Sequence, residues 1–142
     1  MTAIFVAALS LDCDLDKIHQ VGEWLGDSCK MLDPACLQEL ELAVVEAVTN
    51  IIKHGNLAGP DQAIGLELKR QGNAIEVIIT DRGSPIPEAA LVKSQSALDF
   101  DPDDIDNLPA NGLGLALIRE ATDGFDYRTA DGVNTMRLAK SC

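Results

Sequence analysis

Between Leu42 and Ile52 the chain reads LAVVEAVTNII, an apolar helical run broken by Glu46 and Asn50, four residues apart. A carboxylate and an amide inside a buried helix are costly unless partnered, about 2–7 kcal/mol for a neutral polar group and more for a charge. At this spacing both side chains lie on one stripe of the helix, with Lys53 and His54 one turn further on. The stripe suits a magnesium ion and a phosphate chain. Asn50 offers a neutral oxygen to an ion that keeps several waters and takes phosphate oxygens as its other ligands. Glu46 stands where it can accept the proton of an attacking hydroxyl, or of a water, as general base. The plain alternative for Glu46 is an ion-paired helix residue, and its apolar flanks favour the functional reading. Lys53 would neutralise phosphate charge or stand solvated, and His54 reads as a local hydrogen-bonding or packing residue.

Two further segments carry related signals. After the strand-like IEVII, Ile75 to Ile79, comes Thr80-Asp81-Arg82-Gly83-Ser84-Pro85. Asp81 thus follows a buried strand and can face a pocket, while Gly83 lets a flat ligand approach. Later, Asn111-Gly112-Leu113-Gly114-Leu115 opens a second helical pattern. There glycine admits close backbone approach, and a helix from Leu115 to Thr122 aims its free N–H groups at an anion. Taken singly, each segment reads more readily as a turn. The chain has no Gly-x-x-x-x-Gly-Lys-Ser/Thr loop and no HRD or DFG element, so a phosphate cradle must be of another kind.

In the order Glu-x-x-x-Asn, Asp-x-Gly, Gly-x-Gly-Leu, closing on a Gly-Val-Asn-Thr strand, the chain resembles the histidine-kinase-like ATPase superfamily (GHKL, Bergerat fold). Within it, the similarity is to the bacterial anti-sigma-factor serine/threonine kinases. The resemblance runs through ELAVVEAVTNIIKHG, ITDRGSPIP and GLGLALIREATDGFDYRTADGVNTMRLAK, nearly the whole chain. It implies ATP and Mg²⁺ as ligands, held between the helices and one sheet face. Asp81 would then accept from the adenine amino group, Thr135 on the last strand would share that contact, and residues 88–111 would form a lid over the triphosphate. The implied nucleotide set is Asn50, Lys53, Asp81, Gly83, Gly112, Leu113, Gly114, Leu115 and Thr135, with Glu46 as catalytic base and Asn50 as metal ligand.

The resemblance also implies partners: a sigma factor or similar regulatory target, a small antagonist protein phosphorylated on serine, and a second copy in a homodimer. A nucleotide-binding interaction module without phosphotransfer is the alternative. A plain ATPase would need water to reach Glu46, and a sensor histidine kinase would need a phosphoacceptor helix or membrane segment that the sequence does not display. Pro85 stands where the fuller Asp-x-Gly-x-Gly motif has its second glycine, and Asn111 replaces a glycine often found before Gly112. No Lys or Arg occurs between Lys93 and Arg119, so phosphoryl transfer would rely for charge stabilisation on Arg119, Lys53 or a partner subunit.

Composition sets outer bounds. A chain of 142 residues with 46% hydrophobic and 24% charged residues reads as one globular domain over residues 1–142, and 4% aromatic residues imply a core of Ile, Leu, Val and Ala. A formal net charge of −12 argues against nucleic-acid or anionic-membrane surfaces, which need clustered Lys and Arg. Cys13, Cys29, Cys36 and Cys142 form no CxxC pair, and only His19 and His54 could complete a zinc site, so reduced, unpaired thiols are expected. The apolar opening AIFVAALSL follows no basic residue and reads as a strand rather than a leader, which places the protein in the cytoplasm.

The expected order is βααββ, a variable segment, then αββ. The first strand spans about Ile4 to Leu9, followed by an acidic cap and a helix bearing Ile18, Val21, Trp24 and Leu25 on one face. Asp33-Pro34 starts, and Gly55 stops, the long helix carrying Glu46 and Asn50. Hairpins are expected around Gln71-Gly72-Asn73 and Ala130-Asp131-Gly132. From Glu88 to Asn111 the pattern fails, since Asp99, Asp101, Asp103, Asp104 and Asp106 crowd around Pro102. Either a lid or a solvated acidic loop fits that stretch. The fold class is a two-layer α+β sandwich, a mainly antiparallel mixed sheet with helices on one face.

Overall fold

The structure, a computed structural model, describes residues 3–55, 63–95 and 113–142. The acidic run from Asp99 to Asp106, most of the expected lid, and Gly112 lie outside the described residues. Five strands form one sheet: β1 (Ile4–Leu11), β2 (Ile64–Gln71), β3 (Ala74–Asp81), β4 (Gly124–Ala130) and β5 (Val133–Ser141). Their spatial order is β1-β2-β3-β5-β4. Every pairing among them is antiparallel, so the parallel member of a mixed sheet is absent among the described residues.

The strands alternate as the sequence requires. In β3, Ile75, Val77 and Ile79 are buried and Asp81 continues their phase; in β5 the inward series is Asn134, Met136 and Leu138. This face carries the core, and the helices cover it. Both tight hairpins use the left-handed backbone that glycine favours, with φ of 60° at Gly72, 55° at Asp131 and 76° at Gly132.

Helix α2 (Pro34–His54) is the spine of the helical layer. Asp33 caps it by accepting from Cys36 N, and Pro34 fills the first-turn position where no N–H is needed. Leu40, Ala43, Val44, Ala47 and Val48 make its buried face. It stops where Gly55 N–H donates back to Ile51 O, and a Cβ at Gly55 would lie 2.5 Å from that oxygen. Helices α1 (His19–Ser28) and α4 (Leu113–Ala121) both pack on α2. The acidic cap expected before α1 is realised as a 3₁₀ turn, Leu15–Lys17, in which Asp16 N–H donates to the Asp14 carboxylate.

Two expectations need correction. The stretch after Glu88 begins with a short helix, α3 (Glu88–Ser94), not irregular chain. Pro87 enters it with extended geometry, Glu88 and Lys93 complement the helix ends, and Ser94 is tied to Arg119 of α4. Seven residues carry too little periodicity to register against the acidic run behind them. The second correction concerns thiols: Cys36 and Cys142 form a disulfide, while Cys13 and Cys29 are free. The first turn of α2 lies beside the end of β5, with Cα atoms 5.8 Å apart across a sequence separation of 106. A Lys140–Glu39 ion pair marks the same junction. Among the described residues no helix is long and apolar enough to cross a membrane.

Candidate functional site

Where β3, β5 and β4 lie side by side, register sets Asp81 opposite Asn134, and Asn134 opposite Thr129. Asp81 is 6% exposed and Asn134 1%. Asn134 Nδ2 donates to Asp81 Oδ1 at 2.9 Å and to Gly83 O at 2.9 Å, and its Oδ1 accepts from Thr129 Oγ1 at 2.8 Å. Gly83 N–H donates to the same Asp81 Oδ1 at 2.8 Å. One carboxylate oxygen is therefore saturated. The other accepts from no described residue, and Asp81 is part of the lining of a cavity of about 710 Å³. Hydrogen bonds to a charged group contribute roughly 1.5–3 kcal/mol each, enough to hold this carboxylate in place. A buried acceptor so held matches an exocyclic amine.

On the helical side, Ala47, Asn50, Ile51 and His54 recur at three- and four-residue steps along α2 and all line the cavity. Gly114 and Leu115, in the first turn of α4, face them. A methyl group built on Gly114 would stand 3.4 Å from both Glu46 Oε2 and Asn50 Nδ2. Glu46, Asn50 and the start of α4 are thus brought together, although Glu46 itself is not a lining residue. The first-turn amides of a helix have no intrahelical partner, so this end of α4 offers donors to an anion.

This arrangement fits a magnesium-bound phosphate chain on two counts. The glycine leaves open a gap that a Cβ would fill, and Asn50 and Glu46 supply oxygen donors to its edge. Among the described residues no three His, Cys, Asp or Glu side chains converge as a metal cage, so an ion here would take its other ligands from phosphate and water.

Four of the expected site residues meet a different geometry, or none. Thr135 is out of phase: it pairs with Thr80 on the sheet face away from the core, and its neighbour Asn134 reaches Asp81 instead. Strand period two contained this signal, since Met136 and Leu138 share Asn134's phase. Lys53 is exposed and is not among the lining residues, whereas His54, read as a packing residue, is. Gly112 lies outside the described residues, and Leu113 is placed only as the first residue of α4.

Other lining residues lacked a sequence signal. Lys93 reaches the cavity from α3 and brings a positive charge to it. Arg119 is committed elsewhere: its Nε donates to Ser94 Oγ at 2.8 Å, and its guanidinium carbon lies 4.3 Å from the Phe125 ring centroid. Pro85, Ile86 and Pro87 form an apolar wall whose one backbone donor, Ile86 N–H, bonds Tyr127 Oη at 2.9 Å. Ser84 N–H bonds Gly55 O at 2.6 Å, fastening the same loop to the end of α2. Burial pushes the Tyr127 phenol up from its ordinary value, the Ile86 and Thr129 hydrogen bonds pull it down, and the Asp81 charge adds to the rise. The Cys13 thiol is also raised, first by burial and then by Asp81 and Asp14.

Comparison with known proteins bears on the family and the fold. A family model described as "Histidine kinase-like ATPase domain" matches residues 12–140. The serine-protein kinase RsbW of Halalkalibacterium halodurans is 30% identical over 97 residues, covering 68% of this chain and 58% of that protein. The serine-protein kinase RsbW of Bacillus thuringiensis is 25% identical over 100 residues, 70% of this chain and 61% of that protein. In both cases the match takes in less than two thirds of the relative's length. A crystal structure of the RsbU and RsbW domains of a Mycobacterium tuberculosis protein superposes with a TM-score of 0.64 over 95% of this chain and 32% of that one, at 16% identity, which speaks for the fold alone. The α+β sandwich with its Asp81 and Glu46–Asn50 motifs therefore belongs to the histidine kinase-like ATPase domain family.

Proposed function

We propose that this chain is an ATP-dependent serine/threonine protein kinase of the cytoplasm that acts as an anti-sigma regulatory factor in a bacterial partner-switching system. The observation that carries the reading is one cavity lined by Asp81 from the sheet and by Asn50 and Gly114 from the helices, with Glu46 beside that glycine though not in the lining. An adenine amine at Asp81 and a phosphate chain at the start of α4 would fit it. The name of the relatives, serine-protein kinase RsbW, supports serine as the acceptor residue; the antagonist protein that would bear it is what the resemblance to the anti-sigma-factor kinases implies.

In this reading residues 1–142 act as one domain. Asn50 would hold the ion that accompanies ATP, which when bound would neutralise charge on the transferring phosphoryl group. Lys93, the positive charge that α3 brings to the cavity, adds to that neutralisation from the protein side. As the serine oxygen bonds to the γ-phosphorus and the bond to the ADP oxygen breaks, the Glu46 carboxylate takes the serine proton. Partners are a sigma factor or similar target and a small phosphoacceptor protein. A homodimer completes the reading, with the exposed Ile4, Phe5 and Val6 of edge strand β1 suited to a second copy.

The test is capture of partners from the native cytoplasm with and without ATP and Mg²⁺, followed by mass spectrometry for phosphoserine on the captured protein. Glu46→Gln should keep capture and lower phosphoserine by about 10²–10⁴-fold. Nucleotide-dependent capture with no phosphoserine from the unaltered protein would instead establish the interaction module.

A further inference from the structure

We propose that Asn134 is a positioning residue that fixes the base-reading edge of the cavity as an acceptor, and so selects a purine carrying an amino group over one carrying an oxo group. The inference rests on the nucleotide reading of the cavity and adds to it the source of its selectivity.

The hydrogen bonds leave the Asn134 amide one orientation. Two acceptors, Asp81 Oδ1 and Gly83 O, meet the same terminal atom at 2.9 Å, so that atom is the nitrogen, and both of its hydrogens are used. The remaining amide oxygen takes the Thr129 hydroxyl proton at 2.8 Å. Asn134 thus has no donor left to turn toward a ligand.

What the amide controls is the carboxylate. The terminal torsion of an aspartate is broad and roughly two-fold, so a carboxylate held at one point sweeps a range of directions. Gly83 N–H is one such point, on the chain just beyond Asp81 itself. Asn134 is the second, from the neighbouring strand, and two donors on one oxygen fix the plane of the group. The second oxygen, on a residue that lines the cavity, then stays an acceptor for a ligand there. An amino group satisfies it, whereas an oxo group meets it as a second acceptor and leaves both unpaired. Asn134 is 1% exposed and acts on the ligand only through Asp81.

The experiment is calorimetric titration of the whole chain, in Mg²⁺, with ATP and with inosine triphosphate, which carries oxo in place of amino. The unaltered protein should prefer ATP. Asn134→Ala should weaken ATP by about 10- to 100-fold and inosine triphosphate by no more than about 3-fold, so that selectivity collapses. The Asp81→Asn, Asn134→Ala double variant should lose no more than Asp81→Asn alone, because one acts through the other. Thr129→Val, an exposed position, leaves both amide donors in place and should lower selectivity by about 2- to 5-fold, which keeps the question open to decision if Asn134→Ala misfolds.

Equal losses for both nucleotides, additive losses in the double variant, or unchanged selectivity in Thr129→Val together with a misfolded Asn134→Ala would make Asn134 a purely structural residue and overturn the proposal. A wild-type chain that prefers ATP while Asn134→Ala retains the preference would overturn the role of Asn134 and leave the nucleotide reading standing. A wild-type chain that binds neither would overturn both.

Discussion

Gly114→Ala separates what the fold needs from what the site needs. The methyl group would sit 3.4 Å from Glu46 Oε2 and Asn50 Nδ2, and 3.7 Å from Asn50 Oδ1. Those are ordinary contact distances, so the empty protein has room for it. Replacing glycine by alanine within a helix is worth about 0.5–1 kcal/mol, which for a chain of this length raises Tm by roughly 2–4 °C. The same methyl occupies the gap through which a phosphate chain would reach Asn50, and a tenfold loss of ATP affinity is the least expected. At ATP equal to ~100 times the wild-type Kd, binding stabilises the wild type by about 2.7 kcal/mol; a tenfold weaker variant gains only about 1.4 kcal/mol. Thermal melts with and without MgATP read both effects. The variant should melt higher when empty, with its nucleotide increment about halved. A lower melting point when empty, with the full increment retained, would refute the claim that this glycine is kept open for a ligand.

Reduction should lower Tm in the wild type and leave Cys36→Ser unmoved, because the bridge closes a loop with a sequence separation of 106; chain entropy sets an upper bound of about 4.7 kcal/mol for a loop near that size. Equal responses of the two proteins to reductant would move the effect to Cys13 or Cys29. For Tyr127, the folded-state pKa lies above the unfolded value of 10.0. Its contribution is therefore complete below that pH and is lost as pH rises through the folded value. Stability measured by urea unfolding should fall across that alkaline window, and Tyr127→Phe should flatten the fall; an unchanged slope would reject the assignment.

The parts of this fold legible in the sequence are those with a period or a turn signal. Turn residues at Gln71-Gly72-Asn73 and Ala130-Asp131-Gly132 located the hairpins of β2 with β3 and of β4 with β5, and the phase of Ile75, Val77 and Ile79 turns Asp81 inward. The same rule, applied to β5, separates Asn134 from Thr135; matching the motif by residue type instead of by phase put the contact on the wrong face. His54 was legible too, since it stands four residues beyond Asn50 on α2. Lys93 was not, because its place in the cavity depends on α3, a helix too short to signal itself. The disulfide was hidden for another reason: packing, not local pattern, brings the start of α2 to the end of β5. Glu46 and Asn50 stood out because each is a polar exception within an apolar run, and packing against Gly114 gives that exception its setting.

In the proposed function the α2 stripe and the first turn of α4 receive a nucleotide phosphate chain together with its metal ion. Calorimetric titration of ATP into the wild type and Asn50→Ala, each in Mg²⁺ and in a chelator, tests it most directly. The wild type should bind tightly in Mg²⁺ and lose most of that affinity in chelator, and Asn50→Ala should bind weakly and equally in both. An affinity for ATP in Mg²⁺ that Asn50→Ala fully retains would contradict it.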